Sequence, residues 1–210
     1  MDSSPLRLGI IISSVRRSRK GEGIAKWFHG LAAAREPLAP VLLDLMDYRL
    51  PDFEAPTGAR MAEKDYEQDA QRRWVAAVAA LDAFAVVVPE YNYGYPASLK
   101  NALDHVWTGW RGKPMGFVSY GGISGGTRCV QQLRQVAIGL ACVPLQEEVN
   151  IPLVFETLDD QGAPRDPYYA SRAGALLDAL LWWGRALRDA RAREPLPPPP
   201  QPILPRRAAG

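Results

Sequence analysis

Cysteine and histidine are scarce: the 210 residues hold two of each. Cys129 and Cys142 lie in apolar stretches without the CxxC spacing of a redox pair or the spacing of metal ligands. Neither a disulfide scaffold nor a thiolate metal centre is therefore expected, and buried, reduced thiols suit the cytoplasm. No apolar run is long enough to span a bilayer. The opening residues, MDSSPLRLGIIISS, lack the basic start, long apolar stretch and cleavage site of a secretory signal. Charge of one sign is not in excess either, since 25 basic and 23 acidic residues leave a formal +2. A dedicated nucleic-acid binder would concentrate basic charge on one face. The expectation is a soluble cytoplasmic protein with neither nucleic acid nor membrane as partner. Neither GxxxxGK[ST] nor GxGxxG occurs, so no triphosphatase loop or dinucleotide fingerprint is indicated. His29 and His105 fall on predicted helices and read as structural or solvent-exposed rather than catalytic.

What is present is an alternation of short apolar runs with amphipathic stretches. With 47% hydrophobic residues, the chain can bury one sizeable core. Buried strands are predicted at 6–12 (LRLGIII), 41–45, 83–89 (AFAVVVP) and 115–119, with an edge-like strand at 144–151. Helices are predicted over 21–35, 61–81, from about Pro96 through Val106, over 127–140 and over 167–192. Residues 52–60 read as a loop. The expected organisation is one domain over 1–193 and a Pro-rich tail over 194–210, because proline fixes φ and removes a donor. Strands alternating with helices imply a parallel sheet covered on both faces. Ligands of such sheets bind beyond the carboxyl ends of the strands, where the strand order reverses. The loops 13–22, 90–95 and 120–127 follow strands one, three and four, so the chemistry belongs there.

The first of these loops, SSVRRSRKGEG, runs straight into a helix. Its hydroxyls (Ser13, Ser14, Ser18), its cations (Arg16, Arg17, Arg19, Lys20) and the positive helix end are the ingredients of a phosphate site. A basic, solvated turn is the alternative reading of that loop alone. The second loop opens PEYNYGYPASLKNALDHVW, and the third is Ser119-Tyr120-Gly121-Gly122 followed by Ser124-Gly125-Gly126. Their glycines permit close approach to a planar ring, and a tight backbone loop offers donors and acceptors to a ring edge.

These pieces, with Gly112-Lys113-Pro114, resemble the NADPH-dependent FMN reductase family over about residues 6–155. The resemblance implies a flavodoxin-like three-layer α/β sandwich: a five-stranded parallel sheet of order 2-1-3-4-5 with helices on both faces. It implies FMN as cofactor and NADPH or NADH as co-substrate. Ser14, Arg16 and Arg19 would bind the flavin phosphate, with Glu22, Gly23 and Ile24 at the start of the following helix. Pro89, Glu90, Tyr91, Asn92 and Tyr93 would wrap the ring edge, and Ser119, Tyr120, Gly121 and Gly122 would line its other side. The family has Gly-Ser where this chain has Ser13-Ser14, which restricts the backbone at 13. Members pair as dimers or tetramers, so a homodimer or homotetramer is expected. Trp107 and Trp110 read equally as interface, ring-neighbouring or core residues.

The flavin carries hydride chemistry and the protein supplies orientation and exclusion of water, so no catalytic dyad is assigned. The implied activity is hydride transfer from NAD(P)H through FMN to a small acceptor: a quinone, azo compound, metal oxyanion or free flavin. Arg16, Arg17, Arg111 and Arg128 are candidates for reading the adenosine phosphate of NADPH. Two rivals stand beside this reading. One is a flavodoxin-type electron carrier without its own substrate, which the near-neutral charge disfavours. The other is a flavin-binding interaction protein, suggested by the tail alone.

Overall fold

The computed structural model describes residues 4–198. Five parallel strands form one sheet in the order β2-β1-β3-β4-β5: β1 (Leu6–Ile12), β2 (Leu38–Asp44), β3 (Ala83–Pro89), β4 (Pro114–Tyr120) and β5 (Val143–Ile151). This is the flavodoxin-like order expected from the sequence. β1, β3 and β4 are interior strands, and β3 and β4 are buried at every position, as continuous apolar runs require. β2 begins three residues before the predicted start because it is a sheet edge, where Pro40 interrupts no outer ladder. The ladders align Ile12 with Asp44 and Val87, and Pro89 with Tyr120, so the loops that follow emerge along one edge of the sheet.

Helix α1 (Gly21–Ala33) and the long α8 (Pro167–Arg193) cover one face, with Ile24, Phe28, Leu176 and Leu180 among the fully buried residues. α4 (Asp69–Ala79), α5 (Ala97–Asp104) and α6 (Thr127–Gly139) cover the other, around Trp74, Leu99, Leu133 and Trp110. Short helices α2 (Leu45–Tyr48), α3 (Ala59–Ala62) and α7 (Val154–Thr157) lie in the connections. α8 starts on Asp166, whose carboxylate accepts from the Tyr168 amide, with proline next in line.

The helix predicted over 61–81 is two pieces. Residues 63–68 leave helical geometry because tertiary contacts take their polar groups. The Glu63 carboxylate accepts from the amides of Trp107 and Thr108, and the Tyr66 hydroxyl donates to the His105 carbonyl. Trp110 is core: it is fully buried, meets Phe84 edge to face at 4.7 Å between ring centres and donates through Nε1 to the Leu103 carbonyl. Trp107 is half-buried beneath Arg111. His105 is buried between Phe53 and Tyr66, and His29 is half-exposed on α1. Both cysteines are free and buried, and burial pushes each thiol up to about 12. Most of the predicted tail lies outside the described residues. Its first part folds back onto the domain: Leu196 packs over Gly112, and Arg111 donates to the Pro197 carbonyl. No helix among the described residues is long and apolar enough to cross a membrane.

Candidate flavin site

The carboxyl edge of the sheet holds three adjoining clefts. The central one, about 630 Å³, is lined by Arg16, Ser18, Arg19 and Lys20 of the first loop, Pro89, Glu90 and Tyr91 of the second, and Tyr120, Gly121 and Gly122 of the third. Val154 and Phe155 of α7 complete it. They follow β5, whose carboxyl end obeys the same edge rule. A polar cleft of about 510 Å³ continues past Phe155 and takes in Glu22 and Gly23. A third, about 540 Å³, opens past Glu90 and Gly122 and includes Asn92, Tyr93 and Arg128.

The first loop is held from below. The Ser13 hydroxyl donates to the Val87 carbonyl, the Ser98 hydroxyl donates to the Ser13 carbonyl, and the Ser14 hydroxyl meets the Tyr91 hydroxyl at 2.7 Å. A serine at 13 is thus accommodated by turning its side chain into the sheet. Arg19 grips the Asp44 carboxylate through both guanidinium nitrogens and donates to the Ser14 carbonyl. Partial burial opposes its charge, but Asp44 and, more weakly, Glu22 outweigh burial and hold it protonated. Arg16 is exposed, its guanidinium 5.4 Å above the Tyr91 ring. Helix α1 then begins without a side-chain cap among the described residues, so its first-turn amides face the loop rather than a capping oxygen.

The second loop is a tight turn closed by two bonds, Tyr91 amide to Gly94 carbonyl at 2.8 Å and Gly94 amide to Tyr91 carbonyl at 3.0 Å. Its central residues have positive φ, 49° at Asn92 and 68° at Tyr93, the signature of a type I′ turn. The third loop depends on Gly126 (φ 91°), where a Cβ would come within 2.6 Å of the Ser119 side chain. Glu90 joins the two loops, accepting from Ser124 Oγ, from the Arg128 amide and from the Arg128 guanidinium. Burial alone would raise its carboxyl, but these bonds prevail and hold it below the usual carboxylate range.

Not every predicted residue reaches the cleft. Ile24 is a fully buried core residue and offers no side chain to a ligand. Ser119 is buried beneath the third loop, donating to the Gly125 carbonyl and accepting from Asn150. Ser14 is buried against Tyr91, and Gly23 serves packing, since a Cβ there would lie 2.8 Å from the Gln161 carbonyl. Among the arginines considered for the adenosine phosphate, Arg128 is neutralised by Glu90, and Arg111 is bound to Pro197 over the Trp107 ring. Sequence reasoning missed Asp44, Val154 and Phe155.

The residues present fit a phosphorylated planar ligand. The Tyr120 hydroxyl is buried with no hydrogen bond of good geometry among the described residues; the Gly21 amide and the Ser14 hydroxyl are its polar neighbours, and it stands 2.7 Å from where a Cβ on Gly21 would be. Arg16, Lys20 and Tyr120 line the cleft beside the uncapped start of α1, and Gly121 and Gly122 line it from the third loop. That arrangement defines a flavodoxin-like flavoprotein. The comparisons with known proteins make the class specific. The model of the NADPH-dependent FMN reductase family matches residues 6–156, and the chain belongs to that family. It is 37% identical over 145 residues to an NAD(P)H-dependent FMN reductase of Schizosaccharomyces pombe, covering 68% of this chain and 72% of the relative. It is 32% identical over 123 residues to a 2-hydroxy-1,4-benzoquinone reductase of a Burkholderia species, covering 57% of each chain. Among solved structures, FerB, a flavoenzyme NAD(P)H:(acceptor) oxidoreductase from Paracoccus denitrificans, superposes with a TM-score of 0.69 at 22% identity over 86% of this chain and 98% of FerB. The protein is an FMN-dependent NAD(P)H oxidoreductase, and the carrier alternative finds no support among these relatives.

Proposed function

We propose that the central cleft holds FMN with its phosphate against Arg16, Ser18 and the first turn of α1, and that the enzyme reduces a small quinone. The observation that carries the placement is that the exposed Arg16 guanidinium and the Tyr120 side chain line the cleft next to a helix start with no side-chain cap. Phosphate oxygens are acceptors suited to these groups. In this reading Arg19 and Ser14 shape the first loop rather than touch the phosphate directly. Backbone groups of 90–93 face the ring edge, and Gly121 and Gly122 approach the ring closely because they carry no side chain.

When bound, FMN supplies the hydride-accepting centre that no side chain here provides. Gly122, Tyr93 and Ile123 border an open mouth that receives the nicotinamide and the acceptor in turn. Arg16, Arg17 and Lys20 are the cations left near it for the phosphates of NADPH. A homodimer belongs to this reading, because the apolar rim formed by Ile123, Phe155, Tyr93 and Leu153 is exposed, Ile123 at 90%. The free thiols suit a cytoplasmic setting. The test is a titration of the purified chain with FMN, followed by steady-state NADPH and NADH oxidation with 1,4-benzoquinone. Binding with turnover is expected. A chain that takes up no FMN sinks the reading, and a chain that binds FMN but leaves the quinone unreduced sinks the acceptor assignment.

A further inference from the structure

Tyr93 adopts a backbone conformation that tyrosine rarely takes. Type I′ turns favour Asn-Gly because both central residues need positive φ, and Asn92 fits that demand while Tyr93 does not. The two hydrogen bonds of the turn would close equally well around a glycine, so they do not explain why a tyrosine stays there. The remaining contacts come from α6. The Gln132 side-chain amide donates to the Tyr93 carbonyl at 3.0 Å. One helical turn earlier, the Arg128 guanidinium lies 4.3 Å above the centre of the Tyr93 ring. Arg128 also binds Glu90, the residue just before the turn, through its own amide at 3.1 Å and its guanidinium at 2.8 Å. Glu90 is 7% exposed at its side chain, so this ion pair is sheltered on one side. Arg128 therefore holds both the entrance of the turn and its strained residue, from the helix that begins where the glycine loop ends.

We propose that Arg128, assisted by Gln132, is a positioning residue for the flavin: it holds the 91–94 turn in its left-handed form and couples that turn to the 121–126 loop. The proposal rests on the FMN reading for its consequence, though not for the clamp itself. With the clamp in place, the two loops that face the ring meet it preassembled, and ring binding spends no free energy ordering them. Nothing in the arrangement requires Arg128 to touch the ring. Its charge is already matched by Glu90, which removes it from the groups available to nicotinamide phosphates.

The experiment has two arms, both on the full-length chain. In the first, amide hydrogen exchange is measured at Tyr91 and Gly94 in flavin-free protein, wild type against Arg128→Ala. Exchange at both amides is expected to quicken roughly tenfold. In the second, FMN affinity is measured by quenching of flavin fluorescence. Arg128→Ala is expected to weaken it roughly tenfold. Adding Tyr93→Gly, which places an Asn-Gly pair in the turn, is expected to restore most of that loss, because glycine holds the turn without a clamp. Unchanged exchange overturns the proposal whatever the flavin does. So does quickened exchange with wild-type FMN affinity, or a loss that Tyr93→Gly leaves in place while the melting temperature falls. A wild-type chain that takes up no FMN refutes the functional reading instead, and the exchange arm then decides the clamp alone.

Discussion

Arg16 and Arg19 stand three residues apart in one loop and have opposite surroundings. Arg19 is spent on Asp44, whereas the exposed Arg16 guanidinium lies over the Tyr91 ring and forms no ion pair among the described residues. Arg16→Ala should therefore weaken FMN binding about tenfold, roughly 1.4 kcal/mol for one charge-assisted contact, and leave the melting temperature unchanged. Arg19→Ala should lower both. It strands the Asp44 carboxylate, only 15% exposed at its side chain, at an expected cost of about 2–3 kcal/mol in stability. Thermal melts beside FMN titrations of the two variants check the distinction, and equal melts would contradict it. Gly126 is a sharper case. Its φ of 91° and the nearness of Ser119 leave no room for a methyl group. Gly126→Ala should cost on the order of 2 kcal/mol or more and abolish FMN uptake, read by denaturant unfolding and flavin absorbance.

Among the elements, α4 ends on an unusual partner. Lys113, buried just before β4, donates to the carbonyls of Val78 and Ala79, each at 3.2 Å. Burial, reinforced by Arg191 and opposed by Asp82, pushes its ammonium down to about 8 from an ordinary 10.5. Between these values the unfolded chain binds the extra proton, so stability rises with pH across that window and is flat below it. The slope contributed is at most about 1.4 kcal/mol per pH unit. Above pH 9 the buried thiols act in the opposite sense, since both are pushed up to about 12 from 9.0. The clean comparison is wild type against Lys113→Met between pH 8 and 9. The wild type should gain stability and the variant should not, by urea unfolding at each pH. The broken 61–81 helix belongs to this scale too: its apolar spacing was legible, but Glu63 and Tyr66 answer to Trp107, Thr108 and His105, some forty residues away in sequence.

At the scale of the whole molecule, the apolar rim of the cleft and the start of the tail set the expectations. Light scattering should give the mass of a dimer, and Ile123→Asp with Phe155→Asp should reduce it to that of a monomer. A dimer that survives both changes would place the interface elsewhere. Removal of residues 199–210 should leave FMN binding and turnover intact, since the described residues that line the clefts already supply the groups such a ligand needs. Removal from residue 195 onward should in addition lower the melting temperature, because Leu196 covers Gly112 and Pro197 accepts from Arg111.

Local pattern was enough for the order of strands and helices and for the three loops at the carboxyl edge, because buried parallel strands are written as continuous apolar runs and the glycines and cations stand in consecutive residues. It was not enough to say which of those residues face the ligand. Ser14, Arg19, Glu90 and Ser119 all carry polar groups that suit a flavin, yet each has its side chain bound to protein. Those partners, Tyr91, Asp44, Arg128 and Asn150, come from another loop, two strands and helix α6, and only packing these elements together brings them within hydrogen-bond reach. Arg16 and Tyr120 make no side-chain hydrogen bond of good geometry among the described residues, which is likewise decided by packing. The wall at Val154 and Phe155 likewise depends on β5 lying beside β4, a neighbour relation that tertiary structure decides.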